Sequence, residues 1–387
     1  MRYLGFFATF FLVYGGMHAY ALRVLARAFP ARRLWRWAPL CLLLALAPML
    51  ARFLERAEYP ALSQPLAWFA YLWMGLLFLF VVSAAALELL WAAVSLLAFV
   101  LAGRRGLFAA AARGLCLLAL GGAALVFVLS WREARQPVLE EVTIFSEKIP
   151  AGVAELRLVQ LSDLHLGPLL EKSRLRTILA LVRAARPDIL VATGDIVDGQ
   201  EAHLDGSSAL FREIPAPLGK YAVLGNHERY VGVEQAVAFL EAAGFTVLRD
   251  EAREVAGLLA VAGSDDPGRG EEGALQAARE ALLLGRLPAD RFRLFLKHRP
   301  LLPEEGKAAF DLQLSGHVHQ GQIFPFVFLV RRAFPHPTGL LRLGGGKYLY
   351  TSRGAGTWGP PLRFLAPPEV TLIRLRPLPA SAPARGE

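Results

Sequence analysis

Four apolar stretches crowd the first third of the chain: Tyr3–Leu22, Trp37–Leu54, Pro65–Gly103 and Gly114–Trp131. A bilayer core takes roughly 20 mostly apolar residues per helix, so each stretch is long enough to span, the second and fourth only just. The third runs for 39 residues with a single charge, Glu88. As a helix it would be about 58 Å long at the usual rise per residue. It reads as one span continuing past the membrane, with Glu88 near an interface; no Gly or Pro turn cluster marks a hairpin. A cleaved signal peptide is the other reading of Tyr3–Leu22, but its apolar core is long for one and three more apolar stretches follow. The chain therefore reads as opening with an α-helical transmembrane domain of about four spans over residues 1–131.

Charge agrees with that division. The net charge of +9 invites a nucleic-acid partner, yet residues 1–137 hold thirteen Arg, no Lys and four Glu, which accounts for all of it. The remainder has 29 basic and 29 acidic residues. A nucleic-acid-binding domain carries its own basic patch, so no nucleic acid is expected as a partner. The arginines also bear on sidedness. Arg23, Arg27, Arg32, Arg33 and Arg36 follow the first stretch and Arg104, Arg105 and Arg113 the third, against Arg2, Arg52, Arg56, Arg132 and Arg135 on the other side. Eight against five places the first and third loops inside and, with four spans, the rest of the chain outside. Both cysteines, Cys41 and Cys116, fall in apolar stretches, which implies neither a disulfide framework nor a thiolate metal site.

Residues 132–151 read as a charged, Pro-containing linker with an edge strand at Val142–Phe145. Beyond them, β-branched apolar runs ending in turn residues alternate with amphipathic helices. LRLVQLS (156–162), PDILVATG (187–194), YAVLG (221–225), GLLAVAG (257–263), RFRLFLKH (291–298) and FDLQLSG (310–316) read as strands. Residues 171–186, 233–244 and 272–285 read as helices, and LRLGG, KYLYTS and EVTLIRL as closing strands. The pattern predicts a layered α/β domain over 152–376 followed by a Pro- and Ala-rich disordered tail, 377–387.

Polar residues stand where these strands end: Asp163 and His165, Asp195, Asn226 and His227, His298, and His317 and His319. Carboxyl ends of strands are where side chains from different strands converge. Any one of these pairs is weak evidence, since a lone His is more often a satisfied structural residue. Five clusters in one fold layer are not. Two Asp, four His and one Asn give oxygen and nitrogen ligands without sulfur, a set suited to Mn, Fe or Zn. Seven candidate ligands exceed the needs of one ion but serve two when one carboxylate bridges. Two such ions support in-line displacement at a phosphoester.

D-L-H at 163–165, G-D-I-V-D at 194–198, G-N-H-E at 225–228, K-H-R-P at 297–300 and G-H-V-H at 316–319 stand in order across about 220 residues. They resemble the ordered blocks of the calcineurin-like metallophosphoesterases. The resemblance implies a fold with two central mixed sheets. It also implies that Asp163, His165 and His319 hold one divalent or trivalent transition metal ion, that Asn226, His298 and His317 hold a second, and that Asp195 bridges them. His227 would be catalytic rather than a ligand, protonating the leaving oxygen or stabilising the transition state. Asp198 and Glu228 would be structural. AGSDDP (262–267), GHVHQGQI (316–323) and YTSRGAGTWGPPLRFLAPPEVTLI (350–373) are similar to the membrane-associated phosphodiesterase branch of that family. Gln320 departs from it, standing where the branch usually has Gly. The Arg353–Gly356 loop reads as a tight turn packed under the site.

These readings lead to a membrane-anchored phosphoesterase acting on phosphodiester or pyrophosphate bonds, with a lipid-linked substrate favoured by the anchor. A nuclease, a phosphoprotein phosphatase, or an inactive receptor on the same fold are the alternatives; the complete ligand set argues against the last.

Overall fold

The computed structural model describes residues 2–29, 34–102, 111–199, 204, 206–267, 273–303, 309–336 and 338–379. Arg32, Arg33, Arg104 and Arg105 of the charge count, and most of the 377–387 tail, lie outside them. The chain divides into two compact units. One is Met1–Arg132 with Gly359–Leu362; the other is Glu133–Trp358 with Arg363–Glu387.

The first unit is helical: α1 (Arg2–Ala28), α2 (Ala38–Arg56), α3 (Pro60–Ala102) and α4 (Ala112–Ala134). Pro65–Gly103 is not a hairpin, because α3 runs unbroken through 43 residues. Three helices, Ala38–Arg56, Pro60–Leu101 and Ala112–Ala134, are long and apolar enough to cross a membrane among the described residues, where the sequence suggested about four spans. α1, the fourth helix, carries a polar seam toward α3. Trp73 Nε1 donates to His18 Nε2 at 3.0 Å, and Glu88 accepts from Tyr20 (3.0 Å) and Arg23 (2.6 Å). Glu88 is thus an ion-pair partner within the helical unit. Small buried residues at the α2 and α3 contacts, Ala45, Ala51, Ala67 and Ala70, let backbones approach closely.

The second unit is built on two six-stranded mixed sheets. The first contains β1 (Val138–Ser146), β2 (Leu156–Leu161), β3 (Ile189–Thr193), β4 (Lys220–Val223), β5 (Thr246–Val247) and β12 (Glu369–Pro377), in the order β1-β12-β2-β3-β4-β5. The second contains β6 (Glu251–Val255), β7 (Leu259–Ser264), β8 (Phe292–Lys297), β9 (Leu312–Ser315), β10 (Gly339–Gly344) and β11 (Lys347–Thr351), in the order β10-β11-β9-β8-β7-β6. Within them β2, β3, β4 and β5 run parallel, as do β7, β8, β9 and β11.

Strand side chains alternate between faces, and here both faces are buried. Leu156, Leu158, Ile189, Val191 and Val223 point into a core shared with Leu259, Val261, Leu294, Leu296, Leu312 and Leu314 of the other sheet. Their neighbours Val159, Leu161, Leu190, Ala192 and Ala222 pack on the opposite face. There they meet α5 (Lys172–Ala185), α6 (Ser207–Arg212) and α8 (Val233–Ala242), through Ile178, Leu179, Phe211 and Leu240 among others. α9 (Ala274–Gly285) covers the outer face of the second sheet with Leu283 and Leu284. Two short helices complete the unit: α7 (Asn226–Val231) and α10 (Val327–Ala333). Helices on both faces leave only the strand ends for chemistry.

β1 begins at Val138, inside the segment the sequence reads as a linker, and pairs in parallel with β12 over nine residues. Ile144 of β1 is 1% exposed and belongs to the inter-sheet core. Ile144→Ala is therefore expected to destabilise the α/β unit by about 2–5 kcal/mol, read as a fall of several degrees in its thermal midpoint. A side chain on a mere connector would leave the midpoint unchanged.

Candidate metal centre

The strand ends that feed the centre are sharply bent. Asp163 and His165 after β2, Asp195 after β3, and His317 and His319 after β9 all have positive φ, between 46° and 71°. For a residue with a Cβ this region costs about 1–2 kcal/mol, and such residues gather at functional sites. Backbone bonds hold the bends: Asp163 N donates to Gly194 O, and His165 N to Asp195 O, each at 3.0 Å. Two glycines make room. A Cβ on Gly225 would collide with Asp195, and one on Gly316 with Ser162 and Asp163.

LGNHERY, Leu224–Tyr230, leaves the extended conformation soon after β4 ends. Asn226 opens α7, so successive side chains fan out by roughly 100° rather than 180°. Glu228, buried at the third position, turns back and accepts four backbone N–H groups: Gly225 (2.7 Å), Asp195 (2.9 Å), Ile196 (2.7 Å) and Val197 (2.9 Å). His227 Nδ1 lies 2.8 Å from Asp198 Oδ1, and its Nε2 4.0 Å from Asp195 Oδ2. Asn226 Oδ1 is buried with no hydrogen-bond partner.

The structure brings seven of the eight sequence-derived site residues into overlapping groups, and the eighth, Asn226, precedes His227 in the chain. Ligand atoms of Asp163, His165 and His319 lie within 4.8 Å of one another, and so do those of Asp195, His298 and His317. A third such group, His165, Asp195 and His227, spans the space between them. Asp163 is clamped by Ser162 Oγ (2.5 Å) and by His317 N, 2.9 Å from Oδ1 and 3.0 Å from Oδ2.

The donor set fits a cation. Asn226 leaves a buried carbonyl oxygen without a partner. His298 Nδ1 donates to Thr193 O (2.8 Å), so Nε2 turns toward Asp195 Oδ2 and His317 Nδ1, both at 3.1 Å. Burial would lower this ring, but Asp195 outweighs it and holds it up at about 10, so Nε2 carries a proton that a bound cation would displace. His165 Nε2 and His319 Nε2 likewise face each other at 3.1 Å. So many acceptors turned inward are stable only around positive charge.

Electrostatics sort the histidines. Burial and the neighbouring His298 push His317 down to about 3. Burial and the adjacent guanidinium of Arg363 hold His319 well below its ordinary value. Both therefore keep free lone pairs, as metal ligation demands. Burial would also lower His227, but Asp195 and Asp198 outweigh it and hold it up at about 9. Burial raises Glu228, and the nearby Asp195 charge adds to that.

Several contributors carry no motif. Arg363 is fully buried and donates to the carbonyls of Arg353 (2.8 Å), Gly354 (3.1 Å), Gly356 (2.7 Å) and Ala366 (3.1 Å), with Nη2 3.1 Å from His319 Nδ1. Its one sequence signal is a charge inside the apolar run PLRFLAPP. The Arg353–Gly356 loop does pack beneath the site: Ala355 N donates to Ser162 O and Gly356 N to Asp163 O, each at 2.9 Å. Arg353 itself pairs with Glu140 and Glu369. Gln320 has φ 53° and ψ 25°, a conformation Gly adopts freely. It reaches Leu365 O (3.2 Å) and Thr338 (3.4 Å). Exposed Tyr230 and Trp358 flank His227, with ring centroids 5.3 and 6.0 Å away, and Phe334 lies 5.1 Å from the His317 ring.

Residues 156–321 match the family model described as calcineurin-like phosphoesterase. An uncharacterized metallophosphoesterase of Aquifex aeolicus is 41% identical over 239 residues, 62% of this chain and 91% of that protein. An uncharacterized metallophosphoesterase of Helicobacter pylori strain J99 is 33% identical over 62% of this chain and 65% of its own length. A Danio rerio relative described as a transmembrane protein with metallophosphoesterase domain is 31% identical, over 63% of this chain and 58% of that protein. The chain thus spans under two thirds of the two longer relatives.

Glu228→Gln keeps the size of the side chain but turns an NH2 group toward backbone donors. It is expected to cost about 2–4 kcal/mol of stability and about 100-fold or more in phosphoester turnover. Thermal unfolding and steady-state kinetics of the purified variant check both.

Proposed function

The chain belongs to the calcineurin-like metallophosphoesterase family, and from that premise we propose that it is a membrane-anchored, two-metal enzyme hydrolysing phosphodiester or pyrophosphate bonds. The observation that carries the reading is Asp195, which stands within ligand distance both of the His298 and His317 pair and of His165. Asn226 Oδ1, buried without a hydrogen-bond partner among the described residues, adds a candidate donor. Asp163, His165 and His319 would hold one ion, Asn226, His298 and His317 the other, and Asp195 both. Oxygen and nitrogen donors without sulfur suit Mn, Fe or Zn. Bound there, the ions supply Lewis acidity to the phosphoryl group and acidify the attacking water.

The remaining work falls to the chain itself. His227 has its Nδ1 proton committed to Asp198 and stays protonated through neutral pH, so Nε2–H is a donor aimed into the centre. It protonates the leaving oxygen as the ester bond breaks. Ser162, the His317 amide and Arg363 fix Asp163 and His319, so no reorganisation is needed during the step. Tyr230 and Trp358 give the leaving-group side an apolar wall.

The unbroken α3 supports reading Pro65–Gly103 as a single crossing, and the arginine bias then favours a catalytic unit on the outer face of the cell membrane. The anchor favours a substrate with a lipid portion, whose local concentration it raises.

With metal added, bis-p-nitrophenyl phosphate is expected to be cleaved in preference to p-nitrophenyl phosphate; metal-loaded, folded protein that cleaves neither would sink the proposal. Variants separate the roles. Asn226→Ala is expected to lose metal affinity, whereas His227→Ala should retain metal and lose about 10²- to 10⁴-fold in turnover. A C-terminal reporter active only in the cytoplasm would overturn the outward orientation.

A further inference from the structure

Shortly after His319 the chain runs from Phe324 to Phe334, FPFVFLVRRAF, a segment that the catalytic reading leaves without a role. α10, inside it, has no buried residue. Phe328 is 61% exposed and Leu329 66%, with Phe324 at 40% and Phe326 at 42%. A seven-residue helix is marginal by itself and ordinarily owes its stability to a buried apolar face. This one turns that face outward. Exposed apolar surface rimmed by charge marks an interaction surface, and the rim here is basic: Arg331 and Arg332, both exposed, close the helix.

Two further observations narrow the occupant. Among the described residues three helices are long and apolar enough to cross a membrane, and the anchoring proposed above keeps a bilayer in the neighbourhood of this segment. A weak interfacial contact then suffices, because the encounter is already intramolecular in character. Aromatic and Leu side chains beside arginines match the acyl boundary and anionic headgroups of a bilayer surface.

We propose that Phe324–Phe334 docks into the interface of an anionic bilayer. Phe334 ends the segment against the ring of His317, 5.1 Å between centroids, so docking brings the metal centre to the level of lipid phosphates. Resting on the phosphoesterase reading above, this names the substrate class: a phosphodiester or pyrophosphate in a lipid headgroup, cleaved by water without extraction of the lipid.

The test uses the full chain with Cys41→Ser and Cys116→Ser, reconstituted in vesicles of phosphatidylcholine with about a third phosphatidylglycerol. An environment-sensitive fluorophore is attached at Phe328→Cys or, as a control, at exposed Glu254→Cys on β6. Quenching by doxyl-labelled lipid is expected at 328 and not at 254, and stronger with phosphatidylglycerol than without it. Equal or absent quenching at the two positions overturns the proposal. The double variant Phe328→Ser, Leu329→Ser should slow cleavage of a bilayer-embedded phosphodiester lipid by about tenfold and leave bis-p-nitrophenyl phosphate turnover unchanged. Equal slowing of both substrates would mean a structural role and would also overturn it. Wild-type failure on the soluble diester removes the phosphoesterase reading instead, and the quenching comparison still decides the docking.

Discussion

One carboxylate ties the centre together. Glu228 accepts N–H groups from Gly225 at the end of β4 and from Asp195, Ile196 and Val197 at the end of β3. Those strands deliver Asn226 and His227 on one side and Asp195 on the other, so the same four bonds set the distance between the Asp195 carboxylate and its neighbours. His227 N adds a fifth link by donating to Asp195 Oδ1 at 2.8 Å. Charge-assisted bonds to backbone donors are among the stronger protein hydrogen bonds, and here they are buried from water.

Such a clamp is needed because the site opposes folding in two ways. Five site residues adopt left-handed backbone, on the order of 5–10 kcal/mol together, which is comparable with the net stability of a whole domain. The side chains then bring carboxylates and imidazole lone pairs face to face in a buried crevice, where unpaired polar groups are costly. Hydrogen bonds from Ser162, the His317 amide and Arg363, and the one that His298 gives to Thr193 O, offset part of this. The rest is an electrostatic debt that only positive charge settles, which is why the ligand set and the family assignment point to the same chemistry.

The ligand clusters were legible because parallel strands in layered α/β domains are apolar until they end, so a polar residue after an apolar run marks the site edge. That logic located Asp163, His165, Asp195, Asn226, His298, His317 and His319, and the ordered motifs supplied the distinction between ligands and His227. It did not reveal the local geometry at Asn226, where a helix begins directly after the strand. It found only Val142–Phe145 of β1, as an edge strand within a linker, because a strand of mixed character such as VLEEVTIFS has no clean two-residue period. Arg363, though inside the family-like segment 350–373, received no role: its partners are carbonyls ten or fewer residues away and a histidine 44 residues away, a relation fixed by loop packing rather than by any spacing. The order β1-β12-β2, parallel on one side and antiparallel on the other, likewise depends on pairing across more than 200 residues.

The central claim is that the buried lone pairs exist to hold two ions on one shared carboxylate. Equilibrium metal content of the purified full chain, determined by elemental mass spectrometry after loading and desalting, tests it directly. The account predicts two transition-metal ions per folded chain, falling together in Asp195→Asn because both lose the shared ligand. A folded wild-type chain that saturates at one ion or none, or an Asp195→Asn variant that keeps both, would contradict it.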